Sequence, residues 1–311
     1  MHPEQSADMK VLATGLRFPE GPVALADGSI ALVEIEGGRV TRVGPDGAVE
    51  MVARPGGGPN GMAVGPDGAF YVCNNGGFTW TEENGWLRPL WPAPDYTTGR
   101  IERIDPASGS VTRLYDRCGD HHLCGPNDLV FDSQGGFYFT DTGRVRERER
   151  DHGGVYYAMA DGSRIVPVSY PVLTPNGIGL SPDGRVLYVA EMEPARLWAF
   201  DILEPGVIKR QSFPVSFNGG RLVIGLGGFQ RIDSLKVCAS GNICLGTLVA
   251  GCITVVSPEG ELLRRVKMPD LYPTNLCFGG PGLRTAYVTL SLTGRLVAVD
   301  WPEAGLPLAF G

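Results

Sequence analysis

Six turns of the chain place a polar residue at corresponding points of a repeated segment. These residues are Glu20, Asn60, Asn127, Asn176, Asp233 and Asn275, with Thr274 at the aligned position of the last segment. Carboxylate and amide oxygens are the ligands that a hard divalent cation takes, and calcium accepts them in flexible number. Any one of these turns is explained by Asx turn chemistry alone. The set as a whole, with Glu20 in a turn, favours a site for one divalent ion.

Further polar residues lie beside this ring in the sequence. Asp128 and Ser234 directly follow ring positions. A second group ends the second strand of a repeat and is predicted to lie on the same face, because the second strand of a hairpin ends where the first begins. That group is Glu34, Asn74, Asp141 and Glu191.

The segments that carry these residues share one pattern: a turn, an apolar strand, a Gly-containing hairpin and a second apolar strand. Two of the six copies are PEGPVALADGSIALVE from Pro19 and PNGIGLSPDGRVLYVAE from Pro175. Ring positions 20, 60, 127, 176, 233 and 274 are spaced by 40, 67, 49, 57 and 41 residues, and a spacing near fifty is typical of one four-stranded propeller blade with its loops. The sequence predicts an all-β, six-bladed β-propeller with four antiparallel strands per blade, forming a single domain over residues 1–311.

The last copy lacks a fourth strand. It ends with GRLVAVDW at Trp301, whereas MKVLATGL, residues 9–16, precedes the first copy where a fourth strand is expected. We predict that this N-terminal strand joins the last blade, which closes the ring and removes an open sheet edge. The first strand of each blade then lines the central channel and brings the ring residues together at its mouth.

Composition narrows the possible partners. The net charge of −7 comes from mixed charges without a basic stripe, so nucleic acid and anionic membranes are not expected as partners. The polar N-terminus carries no apolar signal region, and no run of eighteen apolar residues occurs. We expect a soluble, cytoplasmic protein that acts on a small molecule; the oligomeric state is left open.

Seven cysteines raise the question of disulfides and zinc. Five of them, Cys73, Cys238, Cys244, Cys252 and Cys277, lie in apolar strand-like runs and are predicted to be buried and reduced. Cys118 and Cys124 flank His121 and His122 in CGDHHLC. A zinc site, a disulfide and a structural loop are all open there, and the structural loop is favoured because the spacing matches no standard zinc module.

At these turns the chain resembles the regucalcin and gluconolactonase family, six-bladed propellers that hydrolyse sugar lactones and related esters with one divalent cation. The resemblance extends from FPEGP to the closing strand. It implies that Glu20 of the EGP turn, Asn176 of the PNG turn and Asp233 of the D-S turn hold the metal. It also implies that Asn127, in an ND pair with Asp128, contacts the substrate. Family members often carry an Arg two residues before this Asn, where it can bind sugar hydroxyls. This chain has Gly125 at that position.

The predicted activity is hydrolysis of a sugar-derived or other small lactone by metal-activated water. Ca²⁺ is the expected ion, with Zn²⁺, Mn²⁺ or Mg²⁺ as alternatives. Asp233 is assigned two roles, as a metal ligand and as the general base on the attacking water. A Ser-His-Asp order is not evident in the sequence, which disfavours nucleophilic catalysis.

The long interval between the second and third copies predicts an insertion over the mouth. It contains Phe78, Trp80, Trp86 and Trp91, which form either an aromatic wall for a substrate or a cover for an apolar rim. Trp80 joins Asn60, Asn127, Asp128 and Asp141 as a candidate substrate contact. In the charged loop TGRVRERERDHG of the next blade, Arg144 or Arg146 is available for an anionic substrate group.

Other functions fit the same frame. A metal that polarises a carbonyl also polarises a phosphoryl oxygen, so an organophosphate or aryl-ester hydrolase is the first alternative. The second is a non-enzymatic calcium-binding propeller, since this architecture serves many functions, although carboxylates inside the channel mouth argue against it. A lyase activity like that of strictosidine synthase is a more distant third.

Overall fold

A computed structural model of the chain describes residues 4–5 and 8–311, so residues 1–3 and 6–7 of the predicted 1–311 domain lie outside the described part. The described strands form six antiparallel four-stranded sheets. Each innermost strand contacts those of both neighbouring sheets, and the sixth contacts the first. The predicted six-bladed β-propeller is confirmed.

Each blade runs from an innermost strand at the channel to an outermost strand at the rim. In that order, blade 1 consists of Pro19–Ala24, Ile30–Glu34, Arg39–Val43 and Val49–Ala53. Blade 2 consists of Pro59–Val64, Phe70–Asn74, Arg100–Ile104 and Val111–Tyr115. Blade 3 consists of Pro126–Phe131, Gly136–Asp141, Gly153–Met159 and Ile165–Val172. Blade 4 consists of Pro175–Leu180, Val186–Glu191, Arg196–Glu204 and Val207–Lys209. Blade 5 consists of Arg231–Val237, Ile243–Leu248, Cys252–Val256 and Leu262–Lys267. Blade 6 consists of Pro273–Gly279, Thr285–Leu290, Arg295–Asp300 and Met9–Ala13.

Shorter elements join this frame. Arg221–Gly225 also pairs with the third strand of blade 4. Two small hairpins are Phe78–Glu83 with Trp86–Pro92 and Arg117–Cys118 with His121–His122, and a 3₁₀ turn spans Pro281–Leu283. Among the described residues, no helix is long and apolar enough to cross a membrane.

The N-terminal strand closes the ring as predicted. Met9 lies opposite Val299 and Ala13 opposite Leu296 in antiparallel register. The strand ends at Ala13, three residues before the predicted end, although Leu16 still packs in the cluster between blades 6 and 1. Glu4–Gln5 adds a parallel strand to the outer edge of blade 5, which was not predicted.

Every innermost strand is bulged at its ring position. In blade 1, Glu20 lies opposite Val33 but Val23 lies opposite Ala31, so the inner strand holds one extra residue. The same one-residue shift occurs in the other five blades at the ring position. A bulge re-aims side chains and bends the strand, so this repeated irregularity turns the ring residues towards the channel mouth.

Apolar clusters fill the wedges between neighbouring blades. One of them combines Cys238, Cys244 and Ile253 of blade 5 with Leu276 and Val288 of blade 6. All five cysteines predicted to be buried are buried and free.

The CGDHHLC segment is a structural loop. Cys118 and Cys124 are both free thiols, and each donates a weak hydrogen bond to a backbone carbonyl. His121 and His122 form the second strand of the small hairpin, and both residues are exposed. The disulfide alternative is wrong, and no metal cluster of His, Cys, Asp or Glu is found among the described residues.

Candidate functional site at the channel mouth

One end of the channel opens into a cavity of about 340 Å³. Five of the predicted ring residues line it: Glu20, Asn60, Asn127, Asn176 and Asp233. The sixth blade contributes indirectly, because the buried Asn275 amide donates to Glu20 Oε2 at 2.8 Å. The structure therefore brings together the polar residues of blades 1 to 5, which are up to 213 positions apart in the chain.

Glycines next to the ring residues allow the inner strands to approach closely. A Cβ at Gly61 would collide with the Asn127 carbonyl oxygen, and one at Gly177 would lie 2.5 Å from the Leu235 backbone nitrogen. Any larger residue would push neighbouring blades apart at the mouth. The Gly of each PNG turn is therefore explained by packing of the ring.

The two ring carboxylates are buried and electrostatically coupled. Glu20 is 3% exposed and Asp233 is 9% exposed. Burial, with a contribution from the Asp128 charge, raises the pKa of Glu20 to about 7, although Asn275 and the Gly21 N–H stabilise the ionised form. Burial and the charge of Glu20 raise the pKa of Asp233 well above its ordinary value, against a hydrogen bond from Asn176. Two such carboxylates are stabilised in their ionised form by a cation between them.

The neutral donors around these carboxylates are available as ligands. Asn127 Oδ1 is buried, and it has no hydrogen-bond partner within residues 8–311. From the described residues, Asn176 Oδ1 accepts only a long hydrogen bond, 3.5 Å, from Ser234 Oγ. A buried oxygen that lacks a partner is costly unless something else satisfies it. The donor set of two carboxylates and amide oxygens fits a hard divalent cation.

Asp128 lies behind the ring rather than in the cavity wall. It is 1% exposed, its Oδ1 accepts the Leu129 N–H at 2.9 Å, and its Oδ2 lies 3.5 Å from Lys236 Nζ. It is not among the residues that line the cavity. Asp128 therefore lies outside the cavity wall, and its charge acts on Glu20 and Asp233.

The residues that end the second strands share a structural role. Each accepts a hydrogen bond from a backbone N–H two or three residues before a ring residue. The pairs are Glu34 with Arg17 N at 2.6 Å, Asn74 with Gly58 N at 2.9 Å, Asp141 with Gly125 N at 2.7 Å and Glu191 with Leu173 N at 3.1 Å. These side chains fix the segments that lead into the ring.

Asp141 accepts more backbone N–H groups than the other three side chains do. Its oxygens accept from the backbone N–H groups of Gly125, Gly143 and Cys124 at 2.7 to 2.9 Å. Burial raises its pKa, and the three N–H groups oppose that shift. It does not line the cavity, and its contacts position the backbone around Gly125 and Gly143.

Asp141→Asn tests that positioning role. The variant replaces one acceptor oxygen with a donor NH₂ facing a backbone N–H, so we expect the free energy of unfolding to fall by about 1 to 3 kcal/mol. We also expect kcat/KM for a lactone to fall, because Asn127 and Arg144 flank the segments that Asp141 holds.

Asp132→Asn is the matched control for this variant. Asp132 binds Gln134 N, Gly136 N and the Tyr157 hydroxyl at the other end of the same blade. It should lower stability and leave kcat/KM unchanged; equal kinetic losses in both variants would contradict the prediction.

The aromatic insertion is a hairpin that forms part of the cavity wall. Phe78, Arg88, Pro89 and Leu90 line the cavity. Trp80 instead packs on Phe18, with ring centroids 5.1 Å apart. Trp80 belongs to the first strand of this hairpin, is partly buried, and is not among the residues that line the cavity. Trp86 and Trp91 are about half exposed, at 48% each.

The structure shows more clearly than the sequence which arginines belong to the cavity wall. Arg144 is buried and lines the cavity, whereas Arg146 is exposed and paired with Asp151. Arg231 also lines the cavity and was not predicted. One feature of the sequence could have identified Arg231 as a candidate site residue. It lies two residues before the ring residue Asp233, just as Gly125 lies two residues before the ring residue Asn127.

Comparison with known proteins identifies the family. The family described as "SMP-30/Gluconolactonase/LRE-like region" matches residues 18–292. The chain belongs to this family. The predicted resemblance is thus confirmed, and the match covers all six innermost strands.

Individual relatives are more distant. A gluconolactonase of Zymomonas mobilis is 26% identical over 310 residues, covering 92% of this chain and 80% of the relative. Lactonase drp35 of Staphylococcus saprophyticus is 27% identical over 263 residues, covering 84% of this chain and 72% of the relative. The crystal structure of a calcium-binding protein, regucalcin, from Agrobacterium tumefaciens superposes with a TM-score of 0.76 at 18% identity, covering 99% and 100% of the two chains. At that identity the likeness shows the fold alone.

Proposed function

We propose that this SMP-30/gluconolactonase-family chain is a divalent-metal-dependent hydrolase that opens a lactone ring. The observation that carries the proposal is the pair of buried, mutually repelling carboxylates, Glu20 and Asp233, facing one cavity together with amide oxygens of Asn176 and Asn127. Relatives named gluconolactonase and lactonase support the choice of a lactone as substrate.

Glu20, Asn176 and Asp233 would hold the ion, and Ca²⁺ is the ion that this all-oxygen donor set favours. Three protein ligands leave room for water and substrate. A bound dication would polarise the lactone carbonyl, lower the pKa of the attacking water and offset the charge that develops on the oxyanion.

The residues of the chain supply orientation and proton transfer. Asp233 accepts a proton as the water oxygen bonds to the carbonyl carbon. The bond between that carbon and the ring oxygen then breaks, and Asp233 returns the proton to the ring oxygen. The product is the hydroxy acid. The amides of Asn60 and Asn127 lie in the cavity wall and are available to donate to substrate oxygens.

Removal and return of metal tests the proposal. Metal-stripped protein should lose hydrolysis of aldonolactones and aliphatic lactones, and it should regain activity when Ca²⁺, Zn²⁺, Mn²⁺ or Mg²⁺ is supplied, with Ca²⁺ expected to restore the most. Its melting temperature should rise with metal, because an ion at 100 times its Kd stabilises the folded state by about 2.7 kcal/mol.

The same screen separates the alternatives. Full activity after exhaustive chelation, with metal absence verified analytically, would contradict metal dependence. Hydrolysis of phosphotriesters or aryl esters without lactones would favour the organophosphate or aryl-ester alternative. Metal binding without hydrolysis of any ester would favour a non-enzymatic calcium-binding protein.

A further inference from the structure

Arg144 is a buried cation in the wall of the cavity. It is 3% exposed, and its Cζ lies 4.5 Å from the ring centroid of Phe78 and 4.6 Å from that of Tyr96. These aromatic faces hold the guanidinium by cation–π contact. The side chain is thereby fixed beside the cavity rather than free to reach solvent.

Part of the hydrogen-bonding capacity of this side chain is unused in the described part of the chain. Arg144 Nη2 donates to the Gly77 carbonyl at 2.5 Å. Arg144 Nε is buried and has no hydrogen-bond partner in the described part of the chain. Burying a cation whose donors are left unsatisfied is expensive, so a group that completes them is expected.

Carboxylates of the chain do not fill this role. Among the described residues, no carboxylate lies within 4.0 Å of Arg144, and the same holds for Arg88 and Arg231, which also line the cavity. Glu193, the remaining carboxylate in the wall, is engaged by Arg150 at 2.7 and 2.9 Å. The wall therefore presents arginine donors, whereas Glu20 and Asp233 carry the negative charge of the cavity.

Gly125 provides the space that this arrangement needs. A Cβ at Gly125 would lie 3.6 Å from Arg144 Cδ and 2.7 Å from the Gly143 carbonyl oxygen. A side chain at Gly125 would thus press on the backbone that delivers Arg144. The lack of a side chain at Gly125 therefore allows the backbone position from which Arg144 enters the cavity wall.

We propose that Arg144 binds an anionic substituent of the substrate, so that the preferred substrate is a lactone ring carrying a carboxylate. A guanidinium matches a carboxylate in planar geometry and in charge. This inference rests on the proposed lactonase function and specifies the substrate class of the same cavity.

Kinetics on two matched lactones test the inference. An aldonolactone and the corresponding aldarolactone differ in a terminal hydroxymethyl or carboxylate group. The wild-type protein should favour the acid lactone in kcat/KM. Arg144→Met should lower kcat/KM for the acid lactone by about 10- to 100-fold, the usual scale for a charge-assisted hydrogen bond, and change the neutral lactone by less than about 3-fold, within the range of an ordinary packing change.

Two further variants separate charge and geometry from general damage. Arg144→Lys keeps the charge but loses the planar donors, so it should retain only part of the preference. Arg146→Met, two residues away in the same loop, removes an exposed arginine paired with Asp151 and should leave the preference unchanged. Equal loss for both lactones in Arg144→Met, or loss of preference in Arg146→Met, would overturn the inference.

A binding measurement gives a readout that does not depend on hydrolysis. Tetrahydrofuran-2-carboxylate should raise the melting temperature of the wild-type protein, with and without Ca²⁺, more than tetrahydrofurfuryl alcohol does. The difference should disappear in Arg144→Met; if it persists there, the anion binds elsewhere and the inference fails. Should that variant not fold, a wild-type protein that binds both rings equally overturns the inference.

The two proposals fail in different ways. Hydrolysis of both lactones with equal kcat/KM, together with equal binding of the two rings, would overturn the anion site and leave the lactonase proposal standing. Selective binding of the carboxylate ring by a protein that hydrolyses neither lactone would support the anion site and contradict the lactonase proposal.

Discussion

Asp233→Asn should reduce kcat for lactone hydrolysis by about 10²- to 10⁴-fold, the usual scale for loss of a general base. The substitution keeps the size of the side chain and one oxygen ligand, but it removes the charge and the basicity. Metal affinity should fall as well, because one of the two buried carboxylates in the cavity is neutralised. The measurement is kcat against metal concentration, with a thermal unfolding curve to show that the fold is retained.

Saturating metal separates the two roles of Asp233. If kcat returns fully when the site is filled, Asp233 acts only as a ligand. If kcat stays low although bound metal is measured, Asp233 is the base. Asp132→Asn, at the far end of blade 3, serves again as the control and should keep kcat. An Asp233→Asn protein as active as the parent at ordinary metal concentration would exclude both roles.

Deletion of residues 1–16 should prevent stable folding. It removes the strand Met9–Ala13, which supplies the outer strand of blade 6, and leaves the strand Arg295–Asp300 as an open sheet edge. It also removes Ala13 and Leu16 from the cluster with Leu32, Cys277 and Leu296. Burial of one leucine is worth about 1.5 to 3 kcal/mol, and an unpaired edge promotes aggregation. We expect insoluble protein or loss of a cooperative thermal transition.

Deletion of residues 1–7 is the matched control. This shorter truncation keeps Met9–Ala13 and, of the described structure, removes the Glu4–Gln5 strand on blade 5, so the protein should remain soluble and melt within a few degrees of the full chain. A truncation of residues 1–16 that is soluble and has an unchanged melting temperature would show that blade 6 does not depend on its N-terminal strand.

The repeat made the fold and the ring predictable from the sequence. Six copies of one strand-turn-strand pattern determine the number of blades, and the missing fourth strand of the last copy leads to Met9–Ala13. Each ring residue occupies the same point of the same local structure, including a bulge that recurs in all six blades. Residues at equivalent positions of the six repeats therefore lie around one axis in the fold, and Glu20, Asn176 and Asp233 line one cavity.

Residues beside the ring were less predictable because a bulge breaks the simple alternation of side chains along a strand. Asn127 and Asp128 are adjacent in sequence, yet Asn127 lines the cavity while Asp128 is buried behind it near Lys236. The sequence marks Asp141 as polar and near the mouth. Only the structure shows that three backbone N–H groups occupy its oxygens.

The sequence by itself determined the propeller, its closure and the polar ring, because these follow from a pattern repeated along the chain. The tertiary structure decided which arginine of TGRVRERERDHG enters the cavity wall. Arg144 and Arg146 are alike in local sequence, but Arg144 is enclosed by Phe78 and Tyr96, which belong to blade 2, while Arg146 pairs with Asp151 in its own loop. Burial of a side chain depends on residues that other parts of the chain bring against it, and no pattern within a single loop contains that information.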